Sequence, residues 1–469
     1  MVDQEESNDD GVSTEPGVPS SRFRKLSGVY RFCFLGFTVV GVLLAVHQIL
    51  ALQVLSTVVL LENSYLYLLL AFYLSNIFLI FPFSRKSPRN HVPIYDLVMF
   101  GLCLFISVYF AVTGLQSLEE GWEFLSPTLP VILAFFLWGL IMEAARRTGG
   151  PAIAVIFGLF SLYPIFADAS FMPALFSGLP QDIVSTARYH LMSEESVLGI
   201  PMRVFGTLII GFILFGVALQ TTGGGRFFIN LAFALLGGVR GGPAKVAIFA
   251  SGLFGSLSGS VVTNVLTTGA MTIPAMKRTG YPARYAGGIE ACASTGGVLM
   301  PPVMGATAFV MASFLEVPYV AVATAAVVPS FLYFFGLFVQ IDSYAARNGV
   351  KGLPPAELPS LRKTISEGWF YVFGFLLLVY LLIYLKREAH APFYATIALL
   401  ALSQFGKLSF REVWYYVLGF GILVYLVVVL ASVRMPAAYT TTLPIGAGIL
   451  LLLLCNVPAH IRVAADKIV

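Results

Sequence analysis

Charge is what this sequence has least of. Only 11% of its 469 residues are Asp, Glu, Lys or Arg, against 58% hydrophobic, and mean hydropathy is +0.86. Soluble domains are nearer a quarter charged, so the composition argues against a soluble fold. Cysteine is scarce: Cys33, Cys103, Cys292 and Cys455 lie far apart within apolar runs. That spacing suggests buried, inert thiols, not a disulfide framework or a paired-cysteine metal knuckle. His47, His91, His190, His390 and His460 are scattered without metal-ligand spacing and are given no role. An intramembrane enzyme needs a nucleophile with a base, or a metal cluster, and neither pattern is visible. A GxxxxGK[ST] phosphate loop is also missing, so an ATP-driven permease would need its ATPase on another chain.

What is present is a series of long apolar runs, each near the roughly 20 residues a helix needs to cross a bilayer. They run on continuously, without the alternation of a membrane β-barrel. The predicted class is therefore all-α and polytopic, embedded in the lipid bilayer. Helices are expected at about 30–52, 63–83, 94–115, 127–145, 151–168 and 203–222. An irregular region follows, then helices at 285–315, 318–340, 368–385, 391–406, 413–432 and 438–456. The first run reads as a signal anchor and not as a cleaved leader.

The formal charge of +4 conceals an asymmetry. Residues 1–15 hold Asp3, Glu5, Glu6, Asp9, Asp10 and Glu15 and no base, so this tail is expected to be disordered. Setting those six aside leaves 18 acidic against 28 basic residues, the latter in short loops. Such loops carry orientation information and no nucleic-acid signal. Arg22, Arg24, Lys25, Arg85, Lys86, Arg89, Arg146 and Arg147 belong on the cytoplasmic side, with the N-terminus. Glu119, Glu120, Glu123 and the segment 169–200 then fall outside. That segment reads as an interfacial helix and loop, either a docking surface or a simple connector. Glu143, beside Arg146 and Arg147, reads as one member of a structural ion pair.

Between Lys245 and Lys277 lie 31 residues without a single charge. Arg240 and Lys245 flank one end, and Lys277, Arg278 and Arg284 the other, so both ends prefer the cytoplasm. The segment is expected to enter the membrane and return as a hairpin. Its centre, GSLSGSVVTNVLTTG at 255–269, is too rich in Gly, Ser and Thr for a strong continuous helix, and suits the tip between two half-helices. In helical conformation Ser256, Ser260, Asn264 and Thr268, spaced by four, would share one face. Small residues at this spacing also serve close helix packing. Their density within a re-entrant segment favours a binding tip. A second interruption, ACASTGGVLMPPVMGATAF at 291–309, breaks the next run near mid-membrane. Paired broken elements mark the site of secondary transporters. Glu290, just before this break, is costly in lipid and is either functional or paired with Arg284.

The residues RGGPAKVAIFASGLFGSLSGSVVTNVLTTGAMTIPAMKRTGY at 240–281 and EACASTGGVLMPPVMGATAFVM at 290–311, with EAARRTGG at 143–150, resemble the fused membrane subunits of tripartite ATP-independent periplasmic (TRAP) transporters. The resemblance covers roughly residues 25–350. It implies an elevator-type secondary transporter in the cell inner membrane, driven by sodium as coupling ion and without a bound cofactor. Small organic anions, generally carboxylates, would be delivered by an extracytoplasmic solute-binding protein of the TAXI class. Carried over to this sequence, Ser258, Gly259, Ser260, Asn264, Gly297 and Pro301 would bind sodium. Ser256, Thr263, Glu290, Ser294, Thr295 and Gly296 would contact the solute. The implied organisation is a tail at 1–24, scaffold helices at 25–145 resembling the small membrane subunit, a first transport repeat at 146–350 and C-terminal helices at 351–469. Within the repeat lie the hairpin 245–277 and the broken helix 285–315. The family has two inverted repeats, and only the first is found in this chain. The second is expected from another polypeptide or from a longer reading frame. The alternative is a truncated or degenerate membrane scaffold without transport of its own.

Overall fold

The computed structural model describes residues 23–50, 60–84, 86–170 and 172–405, and every regular element among them is helical. The acidic tail 1–22, Arg85, Cys455 and the helices expected at 413–432 and 438–456 lie outside the described residues. In chain order the helices are α1 (Gly28–Leu50), α2 (Glu62–Ile80), α3 (Ile94–Val112), α4 (Gly114–Glu119), α5 (Thr128–Gly149) and α6 (Pro151–Leu162). Then come α7 (Ile183–Met192), α8 (Ile200–Val204), α9 (Ile210–Thr222), α10 (Gly224–Leu236), α11 (Gly242–Ser258) and α12 (Val261–Arg278). The last five are α13 (Ala283–Gly297), α14 (Ala306–Phe314), α15 (Tyr319–Arg347), α16 (Leu361–Ile383) and α17 (Ala391–Phe405). Among the described residues seven helical stretches are long and apolar enough to cross a membrane, which makes this a polytopic membrane protein.

Two apolar cores organise these helices. The first joins α2, α3, α5 and α7 through Tyr65, Leu66, Leu69, Phe110, Leu137, Trp138 and Leu191. One end of this bundle is tied by charge. Asp96, in the first turn of α3, pairs with Arg24 at 2.5 Å and with Arg147 at 2.7 Å, all three side chains being fully buried. Glu143 accepts from Arg147 at 2.8 Å, as the sequence suggested, and Arg146 reaches the Phe83 carbonyl at 2.8 Å. The opposite end is marked by Arg188 of α7, which donates to the carbonyl of Phe124 ahead of α5. His190 of α7 also contacts the Ser161 carbonyl near the end of α6, at 2.7 Å. Helix α6 thus runs back along α5, and the 169–200 segment sits at the end away from Arg24 and Arg147. Helix α6 itself stops at Leu162, where a 3-10 turn over Tyr163–Phe166 replaces the rest of the run expected to 168.

The second core gathers Phe212 and Phe215 of α9, Phe254 of α11, Phe309 of α14, Tyr319 of α15, and residues of α16 and α17 such as Leu378 and Leu399. The two cores meet along α8 and α9. A π-helical turn at Phe205–Ile209 displaces the backbone there, and Tyr65 of α2 donates to the Gly206 carbonyl at 2.7 Å. The irregular region expected after residue 222 is more ordered than its composition suggested. Its first part is α10, an amphipathic helix whose Phe227, Phe228, Ile229 and Phe233 are buried.

Candidate functional site

The charge-free segment folds as an antiparallel pair of helices. Asn264 of α12 donates to the Ser251 carbonyl of α11 at 2.9 Å, and the hydroxyls of Ser251 and Thr268 lie 3.1 Å apart. The reversal is made by Gly259 and Ser260. Gly259 sits at φ +61°, a left-handed conformation that ends α11 without steric cost to a residue lacking Cβ. Ser260 is extended, and its hydroxyl accepts from the Thr263 amide at 3.3 Å, capping α12.

The next run is interrupted as its prolines and glycines suggested. Helix α13 ends at Gly297 and α14 begins at Ala306, with a cis Pro301–Pro302 bond between them. This break closes onto the hairpin tip. The Val303 amide donates to the Ser256 carbonyl at 3.0 Å, and a Cβ on Gly259 would come within 2.5 Å of the Met304 carbonyl oxygen. Tyr319 at the start of α15 donates to the Pro302 carbonyl at 2.8 Å and also reaches that of Val303. The N-termini of α12 and α14 end up side by side: a Cβ on Gly305 would lie 3.8 Å from the Gly259 carbonyl oxygen. At this junction the Ser258 hydroxyl is buried and has no hydrogen-bond partner among the described residues.

Of the twelve residues singled out in the sequence, Ser256, Ser258, Gly259, Ser260, Thr263, Asn264, Gly297 and Pro301 are gathered at the tip and the break. The expected shared face of Ser256, Ser260, Asn264 and Thr268 does not form. The chain reverses between Ser258 and Ser260, so Ser256 belongs to α11, Ser260 caps α12, and Asn264 and Thr268 lie within α12. Gly296 is buried toward Tyr333 of α15, whose ring would lie 2.4 Å from an added Cβ. Thr295 is exposed and returns its hydroxyl to the Ala291 carbonyl of its own helix at 2.8 Å, away from the hairpin.

Glu290 and Ser294 form a separate, fully buried group beneath the tip. The alternative partner, Arg284, is exposed, and among the described residues no ion pair links it to Glu290. Four hydroxyls surround the carboxylate instead. Ser251 lies at 3.2 Å and Ser294 at 3.4 Å from Oε1, which Thr268 also contacts, and Thr272 lies at 2.5 Å from Oε2. Sequence reading missed Ser251 and Thr272. Thr272 continues the four-residue spacing of Asn264 and Thr268, a legible signal, whereas Ser251 on the other arm offered none.

The family described as "Tripartite ATP-independent periplasmic transporter, DctM component" matches residues 136–460, or 325 of the 469. The chain belongs to the DctM family. The match to this family extends beyond residue 350, into helices whose sequence is not distinctive by itself. Relatives include the C4-dicarboxylate TRAP transporter large permease protein DctM of Pseudomonas aeruginosa, 34% identical over 209 residues, 43% of this chain and 48% of the relative. The isethionate TRAP transporter permease protein DctMQ of Oleidesulfovibrio alaskensis is 31% identical over 180 residues, 38% of this chain and 24% of the relative. The sialic acid TRAP transporter permease protein SiaT of Haemophilus influenzae is 24% identical over 327 residues, 61% of this chain and 53% of the relative. This DctM-family chain therefore spans at most about half the length of these three relatives.

Proposed function

We propose that the chain is a membrane permease component of a sodium-coupled secondary transporter that imports small organic anions handed over by a periplasmic solute-binding protein. The observation that carries this reading is the closure of the hairpin tip on the broken helix, with the Ser258 hydroxyl at the tip buried and without a hydrogen-bond partner among the described residues. Hydroxyl and carbonyl oxygens are the donors a hard cation takes, and a buried hydroxyl without a partner is uncommon unless something binds it. Sodium would be held by Ser258, Ser260 and Asn264 with backbone carbonyls near Gly259, Gly297 and Pro301. It travels as coupling ion and is released again. The N-termini of α12 and α14 lie close together, and neighbouring positive dipole ends suit a carboxylate or sulfonate. Thr263, in the first turn of α12 and only partly buried, contacts that anion. Relatives named for C4-dicarboxylates, isethionate and sialic acid all concern organic anions, which supports the solute class.

In this reading the 25–145 helices are the scaffold and the 146–350 region the first transport repeat, moving past it as an elevator. A second repeat, from another chain or a longer reading frame, completes the site. The binding protein is of the TAXI class and docks on the side bearing the 169–200 segment. That side is extracytoplasmic, and the N-terminus faces the cytoplasm of an inner membrane. The test is sodium-gradient-driven uptake of carboxylates into proteoliposomes with the cognate binding protein, comparing the chain alone with the chain plus its adjacent downstream coding sequence. Uptake that collapses with the sodium gradient is expected once the second repeat is supplied. Silence in both arms would overturn the transport reading in favour of a scaffold.

A further inference from the structure

Glu290 is fully buried where α11, α12 and α13 cross, and its environment lacks what a buried carboxylate ordinarily has. A buried carboxylate is costly unless a cation pairs with it or a proton neutralises it. Among the described residues no cation lies within ion-pair distance. On the helices packed against it, Lys245 of α11 is bound to Asp342 of α15 at 2.6 Å. Lys277, Arg278, Arg284 and Arg347 are exposed, and Arg278 lies 3.5 Å from Glu357. Tyr285 and Tyr344 stack on each other at 4.1 Å, and Tyr333 donates to the Cys292 carbonyl at 2.8 Å.

What faces Glu290 instead is four hydroxyls, groups that both donate and accept. Two of them have a second acceptor in reach. The Thr268 hydroxyl lies 2.8 Å from the Asn264 carbonyl, and that of Thr272 lies 3.0 Å from the Thr268 carbonyl. When the carboxylate is charged, both threonines turn their protons toward it. When it carries a proton, it donates to one hydroxyl, which gives its own proton to the carbonyl one turn back. Only O–H rotations separate these states, so the ring satisfies Glu290 in either form without moving a heavy atom.

We propose that Glu290 is a reversible proton-binding site at the junction of the hairpin and the broken helix, with Ser251, Thr268, Thr272 and Ser294 as its hydroxyl ring. One proton is bound and one negative charge removed per event. The site goes beyond the sodium and solute positions at the tip. It is linked to them through Thr268, whose hydroxyl lies 3.4 Å from Asn264 Oδ1.

The test is infrared difference spectroscopy of the purified full chain in lipid nanodiscs during a pH titration over about pH 5 to 9, the range buried carboxyls reach. The expected result is a protonated-carboxyl C=O band that titrates in this range and is lost in Glu290→Gln. Thr272→Val removes the donor to Oε2 and should move the midpoint up by about one pH unit, since a hydrogen bond to the charged form favours it. Should Glu290→Gln not fold, Thr272→Val still decides: an unmoved midpoint overturns the proposal. So does the lack of any titrating band, or its removal by sodium or lithium at constant pH, which would make the site a metal-cation site. None of these readouts requires transport, so failure of the sodium-coupled reading leaves the proton site separately testable.

Discussion

Gly255 of α11 and Gly297 of α13 face each other so closely that a Cβ on either would lie 2.6 and 2.9 Å, respectively, from the Cα of the other. This contact holds the end of the broken helix against the hairpin and brings Asn264 within reach of both backbones. Gly255→Ala should therefore force the two helices apart. Overpacking of this kind typically costs about 1–3 kcal/mol. The measurable outcome is a lower unfolding temperature in detergent or nanodiscs, with a weaker sodium response. An alanine variant as stable as wild type would show that the crossing is looser than described.

Ser258→Ala should behave in the opposite way. Its hydroxyl has no partner among the described residues, so removing it relieves an unsatisfied buried group and leaves stability unchanged or higher by about 1 kcal/mol. If the hydroxyl is a sodium ligand, the sodium concentration for half-maximal binding rises about tenfold, the equivalent of about 1.4 kcal/mol. A parallel loss of both stability and sodium response would point to a packing role alone.

Asp96→Asn leaves the guanidinium groups of Arg24 and Arg147 buried without their shared counter-charge. Breaking a buried ion pair by removing one partner costs about 3–5 kcal/mol. Glu367→Gln is the matched control, since it breaks an exposed pair with Lys363 at 3.8 Å, and should change stability by less than about 1 kcal/mol. Equal effects on thermal unfolding would sink the assignment of Asp96 as the tie between the N-terminal segment, α3 and α5.

At the other end of the bundle, the hydrogen bond from Arg203 holds the Glu194 carboxyl below its ordinary value, with a further bond from Asn63 of α2. A lowered carboxylate value means that the folded protein releases this proton more readily than the unfolded chain. The link is fully present above the unfolded value, near 4.3, and is lost as pH falls through the lower folded value. In wild type the unfolding temperature should therefore drop on acidification in that window, and Glu194→Gln should flatten the drop. Both side chains are substantially exposed, so added salt should weaken the effect.

Much of the fold was legible because membrane insertion leaves so few alternatives. Runs such as 94–112 had to be helices, since lipid offers no partner to free backbone groups. Boundaries moved where local chemistry intervened: α15 continues through Asp342 to Arg347, past the expected stop at 340. Helix α10 was missed because Gly223, Gly224, Gly225 and Arg226 precede its apolar run and Gly237 and Gly238 follow it, so that a short stretch, 227–236, is framed by loop-like residues. The buried Asp96 was missed because its partners lie 72 and 51 positions away, at Arg24 and Arg147.

The sequence by itself determined the membrane class, the hairpin and the break. A charge-free stretch with basic residues at both ends has one cheap arrangement in a bilayer, and the adjacent Pro301 and Pro302 cannot continue a helix. Only the tertiary structure decided which polar groups share a site. Once the chain reverses at Gly259, spacing along the sequence no longer equals spacing on a face. Ser256 then parts from Asn264, and Ser251 meets Thr268 across the hairpin. Glu290 finds its hydroxyls on three helices because helix crossing, and not sequence separation, sets which side chains meet.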